Sequence, residues 1–399
     1  MILSTSQLRY LNSRARAAPT QKAERGMIDG ELAVWRDFGA ALATLEADIG
    51  DTNRAEGYRH LGMLLESALR WHLSANDPLR PRLCQINDTP EIADNLFAAV
   101  SGDGRYRLRG SIGTLTDLNI SIHEGWNFQG KPKVWGDIGR DELTVAPDGS
   151  FELILSAEPV PGNWLALPPE AAFIQIREYF YDLDRDRPGT FEIERLDVAI
   201  TPEPRPTPPE IAAALKAAVD WVRDYTAFHK MVFERRHQIA SNSVTAPARQ
   251  PAGNRHIWYG FGKFSLGRGK ALILEFEAPV ARMWSVQWLT SPWYESAGLA
   301  DRLTGLFGSD AVIDSDGKVR IIFSGEDPGV PNWLDTSGYG EGIFVTRWLW
   351  CDDGPVPTTK VVPIADLDAC LPPDTVRMTG VERRQQIARR RAHFARRRR

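Results

Sequence analysis

Hydrophobic positions change period twice along the chain. From Asp29 to about Leu73 they recur at helical spacing, with Ala33, Phe38, Ala41, Leu42 and Leu45 on one stripe and Leu61, Leu64, Leu65, Ala68 and Trp71 on another. Gly50-Asp51 reads as the turn between them. After Pro78 the period becomes two. Apolar and polar residues alternate over 106–112, and Leu118, Ile120 and Ile122 alternate with Asn119, Ser121 and His123. Further strands are predicted over 151–156, 173–181 and 191–200, parted by turn-rich pieces such as Pro147-Asp148-Gly149. No helix of crossover length lies between them, which favours antiparallel pairing over βαβ winding.

The proline-rich run 201–210 marks a boundary and starts a helix. Thr207 suits the cap, Pro208 the first helical position, and Glu210 completes a capping box. The helix should run to about His237 with Ile211, Leu215, Ala218, Val222, Tyr225 and Val232 as its packing stripe. A loop is expected over 241–254 and strands again from His256 to about Val362.

An internal repeat organises the β segments. Asp148-Gly149 through Glu158 has a counterpart in Asp316-Gly317 through Glu326, and Asn163-Trp164-Leu165 recurs as Asn332-Trp333-Leu334. Tyr179-Phe180-Tyr181 matches Trp348-Leu349-Trp350, which puts Thr346 in the place of Arg177. The spacing is too long for a solenoid and fits two related domains of sandwich size. The predicted class is mainly β with helical additions: two related antiparallel β-sandwich, jelly-roll-like domains. Expected boundaries are an N-terminal helical segment over 1–79, a first sandwich over 80–205, a connecting helix over 206–240, a second sandwich over 241–375 and an Arg-rich tail over 376–399.

The strand 106–113 preceded by Ala93-Asp94-Asn95, and the run 283–290 followed by Asp316-Gly317 and Asn332-Trp333-Leu334, resemble the twelve-fourteen family of bacterial domains of unknown function. The resemblance spans roughly residues 80–352 and departs at Leu289-Thr290, where that family places Tyr-Asp. It implies two jelly-roll-like sandwiches, an architecture shared with sugar-handling proteins, and no particular reaction.

Charge sharpens the picture at the end of the chain. The net charge of −4 conceals nine Arg within 383–399, which leaves −13 on the remainder. Such a tail can meet a nonspecific anionic partner or fold onto the acidic body. Cys84, Cys351 and Cys370 are far apart and lack metal-ligand spacing, which favours a reducing, cytoplasmic setting. No export signal is read at the N-terminus, and no stretch approaches the ~18 apolar residues of a membrane span.

Two β segments carry the candidate chemistry. His123-Glu124-Gly125-Trp126 joins an imidazole, a carboxylate and an aromatic wall at a strand end, the groups acid/base chemistry on a bound molecule would use. On the strand 173–181, Gln175, Arg177, Tyr179 and Tyr181 share one face, a guanidinium flanked by aromatic planes, and Glu178 lies on the other. Asn163 and Trp164 suit either a sugar-stacking loop or a structural turn. No metal or cofactor is expected: Asp182, Asp184 and Asp186 lack the glycine and glutamate of a calcium loop, and no nucleophile elbow or phosphate-binding loop occurs. The expected function is recognition, with metal-independent acid/base processing as its enzymatic version, of a small or oligomeric ligand with extended faces, a sugar or polycyclic lipid. His123 would act with Glu124 or Glu178, and Arg177, Tyr179, Tyr181, Trp126, Asn163 and Trp164 would bind. The competing expectation is a binding or assembly module, a homo-oligomer included, that uses Trp-rich surfaces.

Overall fold

The computed structural model describes residues 50–86, 91–130, 133–199, 201–250, 254–291, 293–298 and 300–397. The predicted stripe from Ala33 to Leu45 lies outside them. The second stripe falls on helix α1 (Gly50–Arg70) and the segment Trp71–Ala75 that follows it; Gly50-Asp51 is helical where a turn is expected, and Leu64, Ala68 and Trp71 are buried.

Nine strands build the first sandwich: β1 (Cys84–Gln85), β2 (Ala93–Ala99), β3 (Tyr106–Ser111), β4 (Asp117–His123), β5 (Val134–Gly139), β6 (Ser150–Ser156), β7 (Trp164–Ala166), β8 (Phe173–Tyr179) and β9 (Thr190–Arg195). They form a sheet of order β1-β2-β8-β4-β5 and a second of order β7-β6-β3-β9. Ile120, Ile122, Ile174 and Ile176 from the first sheet meet Leu108, Leu153 and Leu155 from the second in a closed core. Alternation explains this: every second residue of each strand faces inward.

Helix α2 (Pro208–His237) follows, and the Glu210 carboxylate accepts the Thr207 backbone N–H at 2.8 Å, as the capping box requires. Then come β10 (Ser243–Val244), β11 (Ala248–Arg249), β12 (Ile257–Ser265), β13 (Lys270–Glu277), β14 (Met283–Leu289), β15 (Gly305–Phe307), β16 (Lys318–Ser324), β17 (Trp333–Asp335), β18 (Glu341–Leu349) and β19 (Thr358–Pro363). Their sheet orders are β10-β12-β18-β14-β15, with β11 also on β12, and β17-β16-β13-β19. Strand for strand, this is the order of the first sandwich. Pairing is antiparallel except that β7 joins β6, and β17 joins β16, in parallel. The two Asn-Trp-Leu segments therefore occupy one topological position.

The repeat is displaced by one residue at its last strand. Trp348 and Phe344 point into the second core, the inward face that Ile174 and Ile176 take in the first. Leu349 and Tyr179 both point outward and meet in one cluster between the sandwiches. Arg347, not Thr346, is thus the counterpart of Arg177: each is the middle member of a cross-strand row, Asn95–Arg177–Asn119 in one sheet and Tyr259–Arg347–Ser285 in the other. Sequence matching followed the aromatic character of Trp348, whereas inward or outward direction sets the register.

The Arg-rich tail forms helix α3 (Gly380–Arg397), which lies across both sandwiches. Arg397 pairs with Asp94 at 2.7 Å and Arg389 bridges Asp184 and Asp310 at 2.8 and 2.7 Å. Arg383 pairs with Asp327 at 2.9 Å and Arg391 with Asp301 at 2.5 Å. Phe394 and His393 are buried, His393 edge-on to Phe180. At the centre, Arg390 and Glu91 meet at 2.7 Å, both almost fully buried, and Glu91 also accepts from Ser296 and Thr304. These arginines are committed to the acidic body, so the tail would have to leave its seat before they could meet an external anion.

Candidate functional site

The outer face of the β1-β2-β8-β4-β5 sheet carries polar residues where a covered sheet would carry apolar ones. Cross-strand registry sets them in rows: Asn95, Arg177 and Asn119; then Phe97, Gln175, Ser121 and Asp137; then Phe173 and His123. Side chains opposite each other on one face stand close enough to bond, and these do. Asn95 Oδ1 accepts from Gln175 Nε2 at 2.7 Å and from Arg177 Nε at 3.1 Å, and Arg177 Nη2 donates to Gln175 Oε1 at 3.3 Å. Asn119 Nδ2 donates to Asp137 Oδ2 at 2.8 Å.

Helix α2 and the β4–β5 loop roof this floor. Trp221 and Tyr225 stack on the helix, and Phe128 meets Trp221 edge-on at 4.9 Å. Trp126 lies flat on Phe173, ring centroids 4.4 Å apart. Between floor and roof is a cavity of about 600 Å³ lined by His123, Trp126, Asp137, Gln175, Arg177, Trp221, Tyr225 and His229 among others, a size suited to a small organic molecule. Its mouth carries Lys133, whose ammonium sits over the Trp135 ring, and Arg255, which pairs with Asp137 at 3.3 Å.

His123 Nε2 lies 2.8 Å from Ser121 Oγ, and its ring stacks on Phe173. Burial holds its pKa down at about 4, and the Arg177 charge adds to the lowering while a hydrogen bond with Gln175 opposes it. Burial also brings His229 to about 4. Both imidazoles are therefore neutral at pH 7, hydrogen-bonding groups in a cavity whose charge comes from Arg177, Lys133, Arg255 and Asp137.

His123, Arg177 and Trp126 thus converge as the sequence suggests, whereas the other candidates fall elsewhere. Glu178 points to the inner side of the sheet, fully buried, where Oε1 accepts the Gly189 N–H at 2.7 Å. Glu124 does not line the cavity. The expected His–carboxylate pairing is accordingly replaced by His123–Ser121. Tyr179 is buried beyond the cavity wall, takes a hydrogen bond from Asn254 at 2.8 Å, and has its pKa pushed up to about 12 by burial. Tyr181, past the end of β8, packs in the cluster between the sandwiches.

Asn163 spends its side chain on backbone: it accepts from Thr144 N at 2.7 Å and donates to Thr144 O and Glu152 O. Asn332 repeats the arrangement on Val312, at 2.9 and 2.7 Å. Trp164 donates its indole N–H to Ser156 Oγ, and Trp333 to Ser324 O. Both loops are braces, and none of these Asn and Trp residues lines the cavity. In the Asp182–Asp186 turn, Asp186 is buried and accepts from Thr116 and from the Tyr181 and Asp182 N–H groups.

Asn95, Asp137 and the helix wall were invisible to sequence reasoning as site residues, because strand pairing and helix docking bring them together from distant positions. The outward polar alternation of β4 was the signal that could have found Asn119 and Ser121. Among the described residues, no group of three or more His, Cys, Asp or Glu is placed to hold a metal ion, and no helix is long and apolar enough to cross a membrane.

No protein-family model matches the chain, and no curated protein does. The fold is similar to the crystal structure of an uncharacterised protein from Burkholderia cenocepacia, 28% identical, with a TM-score of 0.77 over 86% of this chain and 99% of that one. A protein from Vibrio parahaemolyticus is 12% identical, with a TM-score of 0.46 over 76% of this chain and 98% of that one.

Proposed function

We propose that the protein binds a small ligand with an extended apolar face and an acidic group in the cavity between the first sandwich and α2. The observation that carries this reading is the convergence of Arg177, Gln175 and His123, on neighbouring strands, beneath the Trp126–Phe128–Trp221 wall. A guanidinium held in place by amide oxygens has a set orientation, and a fixed guanidinium is the group that recognises carboxylate or sulfonate. A neutral imidazole and an amide add orientation, and the aromatic wall supplies stacking area. The wall favours a polycyclic or aromatic acid over a sugar acid.

Recognition accounts for the geometry better than proton transfer does. A histidine with a pKa near 4 is neutral at pH 7, with no proton to lend as a general acid and little basicity with which to take one, and the two glutamates expected to assist it lie outside the cavity. The Trp-surface assembly reading has less support, because Trp71, Trp221, Trp284, Trp288, Trp293, Trp333 and Trp348 are buried.

A thermal-shift panel of 2-naphthoate, a steroid acid, glucuronate and neutral 2-naphthalenemethanol tests the reading. The aromatic and steroid acids should stabilise the protein, the neutral alcohol should do so much less, and Arg177→Gln should remove the difference. Stabilisation by acids that survives both Arg177→Gln and His123→Ala would contradict the site.

A further inference from the structure

The outer face of the second sandwich holds cations in place of a polar cavity floor. Arg347, the counterpart of Arg177, is 8% exposed and donates to Gln287 Oε1 at 3.1 Å. Lys263, also 8% exposed, reaches the His237 ring at 3.2 Å. Between them the last turn of α2 lowers Arg236 onto the sheet, its guanidinium 3.9 Å from the Phe261 ring centroid and 4.4 Å from that of Tyr294. Arg236 Nη1 is buried and makes no hydrogen bond. Burial lowers the Arg236 pKa, and the nearby Arg347 charge adds to the lowering while Tyr294, hydrogen-bonded to the guanidinium, opposes it, so the two guanidiniums repel one another.

Among the described residues, none of Arg236, Arg347, Lys263 and His237 forms an ion pair. Two buried carboxylates of this half are engaged elsewhere: Glu91 by Arg390, Thr304 and Ser296, and Glu295 by His60 at 2.8 Å with Arg59 beyond. The helix C-terminus favours basic residues in its last turn but does not require them to be buried. Tyr294, which faces Arg236, has φ +61°, a conformation that costs a bulky residue energy and that concentrates at ligand sites. Buried charges are ordinarily paired, and the charge that this cluster lacks is negative.

We propose that Arg236 and Arg347, flanked by Lys263 and Tyr294, form a second binding site, for an oxyanion of the phosphate class. Two guanidiniums match a doubly charged, multiply accepting oxyanion better than a monoanion. The site goes beyond the acid-binding cavity, since it stands on the other sandwich and uses none of the residues assigned there.

The experiment measures the melting temperature of the full chain against inorganic phosphate, with ionic strength held constant by sodium chloride so that general screening cancels. The proposal expects saturable stabilisation by phosphate, weaker stabilisation by acetate, and an apparent dissociation constant at least ten-fold higher in Arg347→Gln and in Arg236→Gln. Arg236 is on the helix and only part-buried, so its variant carries the test should the Arg347 variant fail to fold. No phosphate effect beyond chloride overturns the proposal, as does an effect that both variants retain. An effect lost only in Arg177→Gln places the phosphate in the cavity and overturns it equally. Failure of the naphthoate panel leaves this readout untouched.

Discussion

The two sandwiches share one strand order yet present opposite outer faces. On the first, Asn95, Asn119, Ser121, Gln175 and His123 surround one guanidinium beneath an aromatic roof, with a cavity between. On the second, Arg347, Lys263 and the incoming Arg236 fill the corresponding surface with positive charge. Topology is set by inward residues, which are mostly apolar in both domains. The outward residues are free of that constraint, and there the two halves differ. Conserved architecture with divergent outer faces is what a scaffold carrying separate sites would show.

The largest effect expected concerns what holds these halves together. Arg390→Ala would leave Glu91 buried without its cation and should cost about 3–5 kcal/mol, the penalty for breaking a buried pair. Calorimetry should record this as a lower melting temperature, with two transitions where the wild type has one. An unchanged single transition would mean that α3 does not couple the sandwiches.

The Asn braces sharpen the comparison at the next level. Asn332→Ala and Asn163→Ala should each cost about 0.5–1.5 kcal/mol in urea unfolding, as turn backbone groups lose their side-chain partners. The Asn332 variant should lose more, since that side chain is the more buried. Neither should alter ligand affinity, whereas a specific loss for Asn163→Ala would return that loop to the binding site.

Those braces also show what the sequence made legible. Asp148-Gly149 and Asp316-Gly317 turn alike, with both glycines at positive φ and each aspartate accepting the N–H two residues on. Such short-range chemistry repeats because the backbone demands it, so the repeat was readable, as were the capping box of α2 and the strands before and after it. His123 and Arg177 were readable from strand alternation. Asp137 and Trp221 were not, because their relation to Arg177 depends on which strands pair and where a helix docks. The tail was read from charge alone, while its docking depends on Asp94, Asp184 and Asp310, scattered through the chain.

Acid should separate the two faces. His123 and His229 are neutral in the fold and have pKa values near 4 against an unfolded value near 6.5. Between those limits the unfolded chain binds more protons, so stability should fall as pH drops from 6.5 to 4, by up to about 1.4 kcal/mol per pH unit per group. His123→Asn should flatten this slope relative to wild type, while Arg347→Gln, which removes no imidazole, should not. Equal slopes in wild type and His123→Asn would show that the imidazole is not held neutral. The smallest effect is expected at the mouth: Trp135→Ala should change stability by less than about 0.5 kcal/mol, as for other exposed positions. It should weaken naphthoate binding several-fold.

The most direct test of the first face is calorimetric titration of 2-naphthoate into the wild type and Arg177→Gln, with 2-naphthalenemethanol as the neutral partner. The account predicts one site per chain in the wild type, at least ten-fold weaker binding of the acid by the variant, and little change for the alcohol. Equal affinity of both proteins for the acid, or no binding by either, would contradict it.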